Sequence, residues 1–166
     1  MNIRIIGYGR LAKSLISHWQ KNHHLSISSP SLVENNLSPS RVTHFNNQWA
    51  LDHQDVIILA VKPQLMETVL AEIQSSLKPN SLLVSLAAGV TQEQLLKWVP
   101  SHCKITRAMP NITAEVQSSF TLLRQHDHLE KQDCTLLETL FLENGLTYWV
   151  DDDKLLDLGT IIAGSG

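Results

Sequence analysis

Short apolar runs alternate with amphipathic stretches along this 166-residue chain. The clearest run is DVIILAV at residues 55–61, a continuous β-branched segment typical of a strand buried on both faces of a parallel sheet. A helix is predicted over residues 64–77, where leucine, valine and isoleucine recur at helical spacing. Because strands that alternate with helices form parallel sheets with right-handed crossovers, the sequence predicts a doubly wound α/β fold.

Further segments extend this alternation toward both ends of the chain. The other predicted strands are NIRIIG, HLSIS, residues 41–44, SLLVSLAAG, KITRAMP, SFTLLR and LTYWV. The other predicted helices cover residues 10–21, 91–99 and 129–143, and a last helix begins at Asp153. Thr91 is predicted to cap its helix, with Glu93 and Gln94 close behind it. Ligands of doubly wound sheets lie at the carboxyl ends of the strands, so a site is expected there.

The composition argues against two classes of partner. The chain has 43% hydrophobic and 17% charged residues, as in an ordinary globular protein, and its net charge of −3 leaves no basic excess for nucleic acid. No apolar run approaches the ~20 residues of a membrane-spanning helix, and the first residues show no signal-peptide pattern. We therefore expect neither a nucleic-acid nor a membrane partner.

The cysteines and histidines indicate neither a disulfide nor a metal site. Cys103 and Cys134 lie far apart without CxxC spacing, which is typical of free thiols in a reducing compartment, so a cytoplasmic location is expected. The close histidine pairs, at residues 23–24 and 126–128, stand in polar, turn-like sequence without the companions of a zinc site. We expect no metal.

A glycine-rich turn, Gly7-x-Gly9-x-x-Ala12, joins the first predicted strand to the first predicted helix. In this context Gly7 permits the sharp turn, Gly9 lets the backbone approach a pyrophosphate, and Ala12 lets helix and sheet pack closely. Free N–H groups and the helix dipole then face the phosphates. The alternative is a tight turn that needs glycine for its conformation alone. The surrounding βαβ pattern favours a dinucleotide site.

The end of the second predicted strand indicates which dinucleotide is preferred. NAD sites usually place Asp or Glu about 20 residues after the glycines, where the carboxylate binds the ribose hydroxyls. This chain has Ser28 and Ser29 there, and no carboxylate before Glu34. Because hydroxyls do not repel a 2′-phosphate, the sequence favours NADP(H), with NAD(H) as the second choice. Ser28, Ser29 and Pro30 can also form a plain turn, and the two interpretations are compatible.

Four further segments resemble, in order and spacing, the N-terminal domain of the pyrroline-5-carboxylate reductase family. They are DVIILAVKPQ, SLAAGV, RAMPN and DLGTIIAGSG, at residues 55–64, 85–90, 107–111 and 157–166. The resemblance implies a Rossmann-type, doubly wound parallel sheet joined to a helical dimerisation domain. It also implies an oxidoreductase of proline biosynthesis, which transfers hydride from NAD(P)H to the imine of 1-pyrroline-5-carboxylate.

The same resemblance implies a set of cofactor-binding residues. Those expected at the pyrophosphate are Gly7, Tyr8, Gly9, Arg10 and Leu11, and those at the adenosine ribose or its phosphate are Ser28, Ser29 and Asn46. Those expected at the nicotinamide ribose are Ala60, Val61, Lys62 and Pro63, and those shaping the nicotinamide pocket are Ala87, Ala88, Gly89, Met109, Pro110 and Asn111. For two of them an alternative to cofactor contact is equally simple: Lys62 can be a solvated side chain, and Met109 can fill the core.

The chain also departs from the family pattern. Ile112 and Thr113 replace the threonine and second proline of the family's RAMPNTPA segment, which alters the loop beside the expected nicotinamide pocket. Arg10 stands where many members have a small polar residue, and it either adds charge to the diphosphate site or points into solvent. No residue has a convincing setting for proton transfer, so the catalytic residues stay unknown.

The sequence ends at AGSG, which resembles the start of the family's hinge into its helical domain. We expect residues 1–152 to form the NAD(P)-binding domain and residues 153–166 to begin a linker helix, with the helical domain absent. That domain supplies most of the family's contacts to the imino-acid substrate, so this chain is expected to bind cofactor and to reduce the imine poorly. Full-length relatives are expected to be homo-oligomers, and this chain a monomer or a weak dimer through apolar residues such as Leu155 and Leu156.

Two alternative functions stay open beside this reductase. One is a non-catalytic NADP(H)-binding module. The other is a reductase for another small imine or ketone, because a fold does not fix the substrate.

Overall fold

The computed structural model describes residues 1–29, 41–44, 46–48, 51–111 and 119–164. Its strands are β1 (Asn2–Ile6), β2 (His24–Ser28), β3 (Arg41–His44), β4 (Val56–Leu59), β5 (Leu82–Ser85), β6 (Lys104–Pro110), β7 (Ser119–Arg124) and β8 (Gly145–Val150). Its α-helices are α1 (Arg10–Trp19), α2 (Met66–Ile73), α3 (Gln92–Trp98), α4 (Lys131–Leu142) and α5 (Asp153–Gly164). None of these described helices is both long and apolar enough to cross a bilayer.

The strands form one sheet in the order β3-β2-β1-β4-β5-β6-β7-β8. Every neighbouring pair from β3 to β6 is parallel. The chain builds outward from β1 to β3 and then crosses back to place β4 on the other side of β1. The predicted Rossmann-type doubly wound sheet is therefore confirmed. The strand order reverses between β1 and β4, which is where sheets of this kind bind their ligands.

Strand β7 departs from the parallel pattern. It pairs with β6 antiparallel, with Ala108 opposite Leu123 and Pro110 opposite Thr121, and β8 then pairs with β7 in parallel through the crossover helix α4. A parallel connection needs a crossover of a dozen or more residues, whereas only residues 111–118 separate β6 from β7. The short connection therefore reverses the direction of the chain.

The sheet is covered on both faces, and β4 contributes to both cores. Val56 and Ile58 belong to the core beneath α1 and α4, while Ile57 and Leu59 belong to the core beneath α2 and α3. All four side chains are at most 1% exposed. The uninterrupted apolar run that predicted this strand is explained by the two cores, since a strand buried on both faces has no solvent side.

Helix α1 is anchored at its carboxyl end by Trp19, which is fully buried. The indole Nε1 donates a hydrogen bond to the Leu140 carbonyl oxygen at 2.9 Å, and its ring meets Phe141 edge to face with the centroids 5.5 Å apart. This contact joins α1 to α4. The helix ends at Trp19, slightly before the predicted residue 21.

The helices on the other face show how local sequence sets helix ends. The predicted helix over residues 64–77 is interrupted, because 3-10 turns at Pro63–Leu65 and Gln74–Ser76 flank α2. At the start of α3 the predicted cap is confirmed: Thr91 Oγ1 accepts from the Gln94 N–H at 3.2 Å, and the Thr91 N–H donates to Gln94 Oε1 at 2.9 Å. This reciprocal pair forms a capping box.

Apolar side chains remain exposed at one side of the fold. Strand β8 lies at one edge of the sheet, and its Leu146 and Tyr148 are 60% and 54% exposed. On α5, Leu155 is 48% exposed, but Leu156 is fully buried. The expected apolar surface therefore includes Leu155 but not Leu156, because successive residues of a helix face different directions.

A buried ion-pair network fixes the start of α5 against β6. The Arg107 side chain is only 1% exposed, and it donates to Asp153 Oδ1 at 2.8 Å and to Asp157 Oδ1 at 2.6 Å. Arg124 lies 3.5 Å from the same Asp153 oxygen, and the Gln92 N–H donates to Asp153 Oδ2 at 3.0 Å. Asp153 thus connects α5 to β6, β7 and the first turn of α3.

The network also sets the charge of Asp153. Burial alone raises the pKa of this carboxyl, but the hydrogen bonds from Arg107 and Gln92 and the positive charges of Arg107 and Arg124 outweigh it. The pKa of Asp153 is therefore held below its ordinary value, and the residue stays ionised into the acid range.

Replacing Asp153 by asparagine is expected to lower the free energy of unfolding at pH 7 by about 1–3 kcal/mol, because Arg107 loses a charged partner. A carboxyl with a lowered folded pKa contributes fully above its unfolded pKa of about 3.9 and loses that contribution as the pH falls further. Urea unfolding at pH 7 and pH 3 should therefore show a difference from wild type that shrinks in acid. Asp151→Asn, at an exposed position, is the matched control. An equal loss at both pH values would contradict this account.

Candidate functional site

Gly7 lies where the carboxyl ends of three strands meet. Its N–H donates to the Ser28 carbonyl oxygen of β2 at 2.8 Å, and its φ of +103° is a conformation that side chains rarely adopt. A Cβ at this position would lie 2.4 Å from the Ala60 carbonyl oxygen, just beyond β4. Gly7 is therefore required both by its conformation and by the close approach of the β4 end.

Gly9 differs from Gly7 in both respects. It precedes α1 in an extended conformation with φ −77°, and a Cβ built there would meet no atom within 4 Å. The protein itself therefore neither strains this residue nor crowds it. The open space lies at the amino end of α1, where the first N–H groups of a helix have no partner within the helix.

The charges around the first turn of α1 suit an anion. No acidic residue stands in this turn, although acidic residues are the usual complement of a helix amino end. Arg10 is exposed there, and Lys13 Nζ lies 5.0 Å from the centroid of the half-buried Tyr8 ring. A cation at the amino end of a helix is repelled by the helix dipole, whereas a bound diphosphate would be attracted both by the dipole and by these cations.

Two smaller residues complete the turn. Ala12 is 1% exposed and packs in the core between α1 and the sheet, as the glycine-turn pattern predicts. Leu11 is half-buried against the same core. The turn thus has a packed side formed by Ala12 and Leu11, and an open side at Gly9.

At the end of β2 the two predicted serines are both buried. Ser28 is fully buried, and its Oγ donates to Asn47 Oδ1 at 2.7 Å, while Ser29 is 6% exposed. The predicted Asn46 is exposed and near this end, but its Oδ1 accepts from the Gln48 N–H at 2.7 Å. The asparagine that contacts Ser28 is therefore Asn47, which the sequence analysis missed.

Asn47 is in turn connected to α2. Its Nδ2 donates to Glu72 Oε2 at 2.9 Å, and Gln48 Nε2 donates to the Glu72 carbonyl oxygen at 2.6 Å. On the sheet side, Arg4 donates to the Asn46 carbonyl oxygen at 2.7 Å, and burial lowers the pKa of Arg4 to about 10. The only sequence signal for this arrangement was the second asparagine in HFNNQ.

The residues expected around the nicotinamide end are spread along three strand ends. Beyond β4, Ala60 and Val61 are half-buried, and Lys62 and Pro63 are exposed. Beyond β5, Ala87 is buried, Ala88 is exposed, and Gly89 is exposed with φ +74°. In or next to β6, Met109 and Pro110 are buried and Asn111 is half-buried.

The residues at β6 differ from the others in one respect. Met109 and Pro110 lie within the strand, opposite Leu122 and Thr121 of β7, and the Asn111 N–H donates to the Phe120 carbonyl oxygen at 2.8 Å. The antiparallel partner β7 extends β6 and covers this position, and the burial of Met109 fits the alternative that it fills the core.

The departures Ile112 and Thr113 lie outside the described residues, as do Pro30 and Glu34. Among the residues that the structure does describe, no three histidine, cysteine or acidic side chains come together as metal ligands. Cys103 and Cys134 are free thiols, and burial raises the pKa of each.

The chain is similar in sequence to known oxidoreductases. The family model described as NADP oxidoreductase, coenzyme F420-dependent, matches residues 2–89. A pyrroline-5-carboxylate reductase of Pseudomonas aeruginosa is 32% identical over 121 residues, which cover 73% of this chain and 44% of that protein. A pyrroline-5-carboxylate reductase of Pisum sativum is 30% identical over 170 residues, which cover 97% of this chain and 61% of that protein.

Solved structures show the same fold. A crystal structure of pyrroline carboxylate reductase from Plasmodium falciparum, with NADP bound, superposes with a TM-score of 0.86 at 23% identity. The superposition covers 99% of this chain and 62% of that one. The chain thus spans about half the length of the curated relatives it matches, from 44% to 61% in the two described above.

Replacing Gly7 by alanine is expected to lower the free energy of unfolding by about 2–5 kcal/mol, because the new Cβ adds both a disfavoured φ and a collision with Ala60. Gly89→Ala is the matched control, since Gly89 also has a positive φ but a Cβ there meets no atom within 4 Å. It should cost only about 1–2 kcal/mol. Chemical denaturation measures the free energy of unfolding of both variants. Equal decreases would show that the close approach to Ala60 adds nothing to the cost of a side chain at Gly7.

Proposed function

Because the chain belongs to the pyrroline-5-carboxylate reductase family, within the wider family of NADP oxidoreductases, we propose that it binds a nicotinamide dinucleotide at the carboxyl ends of β1, β2 and β4. The observation that carries the proposal is the open amino end of α1. Gly9 leaves that end uncovered, and Arg10 and Lys13 stand beside it without an acidic residue. An uncovered, positively charged helix end is a binding site for a diphosphate.

Each part of the strand edge has a proposed role toward the cofactor. The backbone from Gly7 to Leu11 would hold the pyrophosphate, and Ser28, Ser29 and the neighbouring segment 46–48 would adjoin the adenosine ribose. Residues 60–63 and 87–89, with Met109, Pro110 and Asn111, would border the nicotinamide. The cofactor supplies the reducing equivalent, and these residues orient it and exclude water from one side of it.

We propose NADP(H) as the preferred dinucleotide, with NAD(H) accepted less well. In support, β2 ends at Ser28 and Ser29 follows it, so no carboxylate stands at the position where NAD sites usually have one. The family model carries the description NADP oxidoreductase, and the Plasmodium falciparum relative was crystallised with NADP.

The proposed substrate of the whole protein is the imine of 1-pyrroline-5-carboxylate, as the names of the relatives suggest. We propose that residues 1–152 form the cofactor domain and that α5, from Asp153, begins the linker toward the imino-acid site. The 166 residues by themselves would then bind cofactor without reducing the imine efficiently. A role in proline biosynthesis and a cytoplasmic location stay predictions.

Replacing Gly9 by alanine or aspartate is expected to weaken NADPH binding while leaving the fold intact. Alanine fits the φ of −77° and meets no protein atom, so the melting temperature should stay within a few degrees of wild type. The methyl group would occupy the space in front of the helix amino end and lower the affinity at least about tenfold, and aspartate would lower it further by repelling the phosphates. Titration of NADPH fluorescence measures both. Unchanged affinity in Gly9→Asp would refute the proposed site.

Turnover separates the reductase from its alternatives. The 166-residue chain is expected to bind NADPH but to oxidise it with pyrroline-5-carboxylate far more slowly than the same chain extended by a helical domain of the family, because positioning of the imine contributes up to about 7–11 kcal/mol. The loss of NADPH absorbance reports the rate. An extended chain that binds NADPH but reduces only other imines or ketones, or none, would favour one of the alternative functions.

A further inference from the structure

We propose that the carboxylate of Glu72 on α2, which Asn47 holds beside the end of β2, limits the discrimination between NADPH and NADH at this site. The inference rests on the proposed dinucleotide site and deepens it. It concerns the polar contacts between the end of β2, the segment 46–48 and α2, which the sequence analysis did not find.

The first step is the chemistry of the contact between Glu72 and Asn47. An ionised carboxylate can only accept hydrogen bonds, so the Asn47 amide must turn its Nδ2 toward Glu72, where the two atoms lie 2.9 Å apart. The amide oxygen then faces the other way. Glu72 therefore decides which end of the Asn47 amide is presented to β2.

The second step is the effect on Ser28. Its Oγ lies 2.7 Å from Asn47 Oδ1, and an amide oxygen can only accept, so the hydroxyl proton of Ser28 is committed to Asn47. Ser28 is fully buried, so its Oγ is not itself a contact for a ribose hydroxyl or a phosphate. Its hydrogen bond instead fixes Asn47 at the end of β2, and Asn47 in turn holds the Glu72 carboxylate beside that strand end.

The third step is charge. Glu72 is exposed, and within the described part of the chain it forms no ion pair with a lysine or an arginine. A single side chain, that of Asn47, thus separates its carboxylate from Ser28 at the end of β2. Repulsion at this separation acts on the dianionic 2′-phosphate of NADPH but not on the hydroxyl of NADH.

The segment itself does not depend on the carboxylate. Gln48 Nε2 donates to the main-chain oxygen of Glu72, and Arg4 donates to the main-chain oxygen of Asn46. Both contacts survive a change of the Glu72 side chain. The conservative variant Glu72→Gln therefore removes the charge and leaves the segment in place.

The test compares dissociation constants of NADPH and NADH for wild type, Glu72→Gln and Glu67→Gln. Glu67 is also an exposed carboxylate on α2, but it makes none of the described contacts with the segment 46–48, so its variant controls for net charge. In Glu72→Gln the preference for NADPH over NADH is expected to rise about three- to tenfold through tighter NADPH binding. This difference from wild type should shrink at high salt, because salt screens the repulsion by Glu72 in wild type. In Glu67→Gln the preference should stay as in wild type.

A second variant, Glu72→Lys, reverses the charge at this position. A lysine ammonium beside the end of β2 attracts the 2′-phosphate that the Glu72 carboxylate repels. The preference for NADPH should then exceed that of Glu72→Gln. Melting temperatures of all variants confirm that they are folded.

The possible results separate the two proposals. If wild type binds neither dinucleotide, the proposed function fails and the inference fails with it. If wild type binds both but the ratio of dissociation constants is the same in all folded variants, the site stands and the role of Glu72 is refuted. Equal weakening of NADPH and NADH in Glu72→Gln would likewise refute it, since that is the effect of a purely structural residue.

Discussion

The close approach between Gly7 and the Ala60 carbonyl oxygen is the constraint on which the arrangement of the strand edge depends. No side chain fits between the end of β1 and the end of β4, and the Gly7 N–H is used at the same time to hold β2. Three strand ends meet at this one residue, which has no side chain. Helix α1 therefore begins close to the sheet, with its amino end at the carboxyl ends of β1 and β4. The proposed dinucleotide site is a consequence of this convergence rather than of any single binding residue.

Polar groups that are buried near this edge are each connected to a particular partner. Arg107 holds two carboxylates of α5, and Ser28 is joined through Asn47 to Glu72. Burying such groups costs free energy unless they are paired, and paired groups tolerate only one arrangement of the elements that carry them. The hydrophobic cores hold the helices on the sheet, whereas these polar contacts determine how α5 and the segment 46–48 are oriented on it.

Much of the fold could be predicted because it follows from local sequence. The apolar run of β4, the Thr91 cap and the glycine turn each carry their signal within a few residues. The direction of β7 depends on the length of a connection, which apolar periodicity does not report. The contact between Asn47 and Glu72 joins residues 25 positions apart, and that between Arg107 and Asp153 joins residues 46 apart, so no local pattern could reveal them.

The participation of β4 in both cores has a consequence for the motions of the chain. A fluctuation that releases α1 and α4 leaves β4 packed beneath α2 and α3, and the reverse opening leaves it packed on the other face. Backbone amides of β4 can therefore exchange with solvent deuterium only in openings whose free energy approaches that of complete unfolding. Ala60 and Val61 follow directly from this strand, so the nicotinamide side of the proposed site is attached to a strand that both cores hold in place.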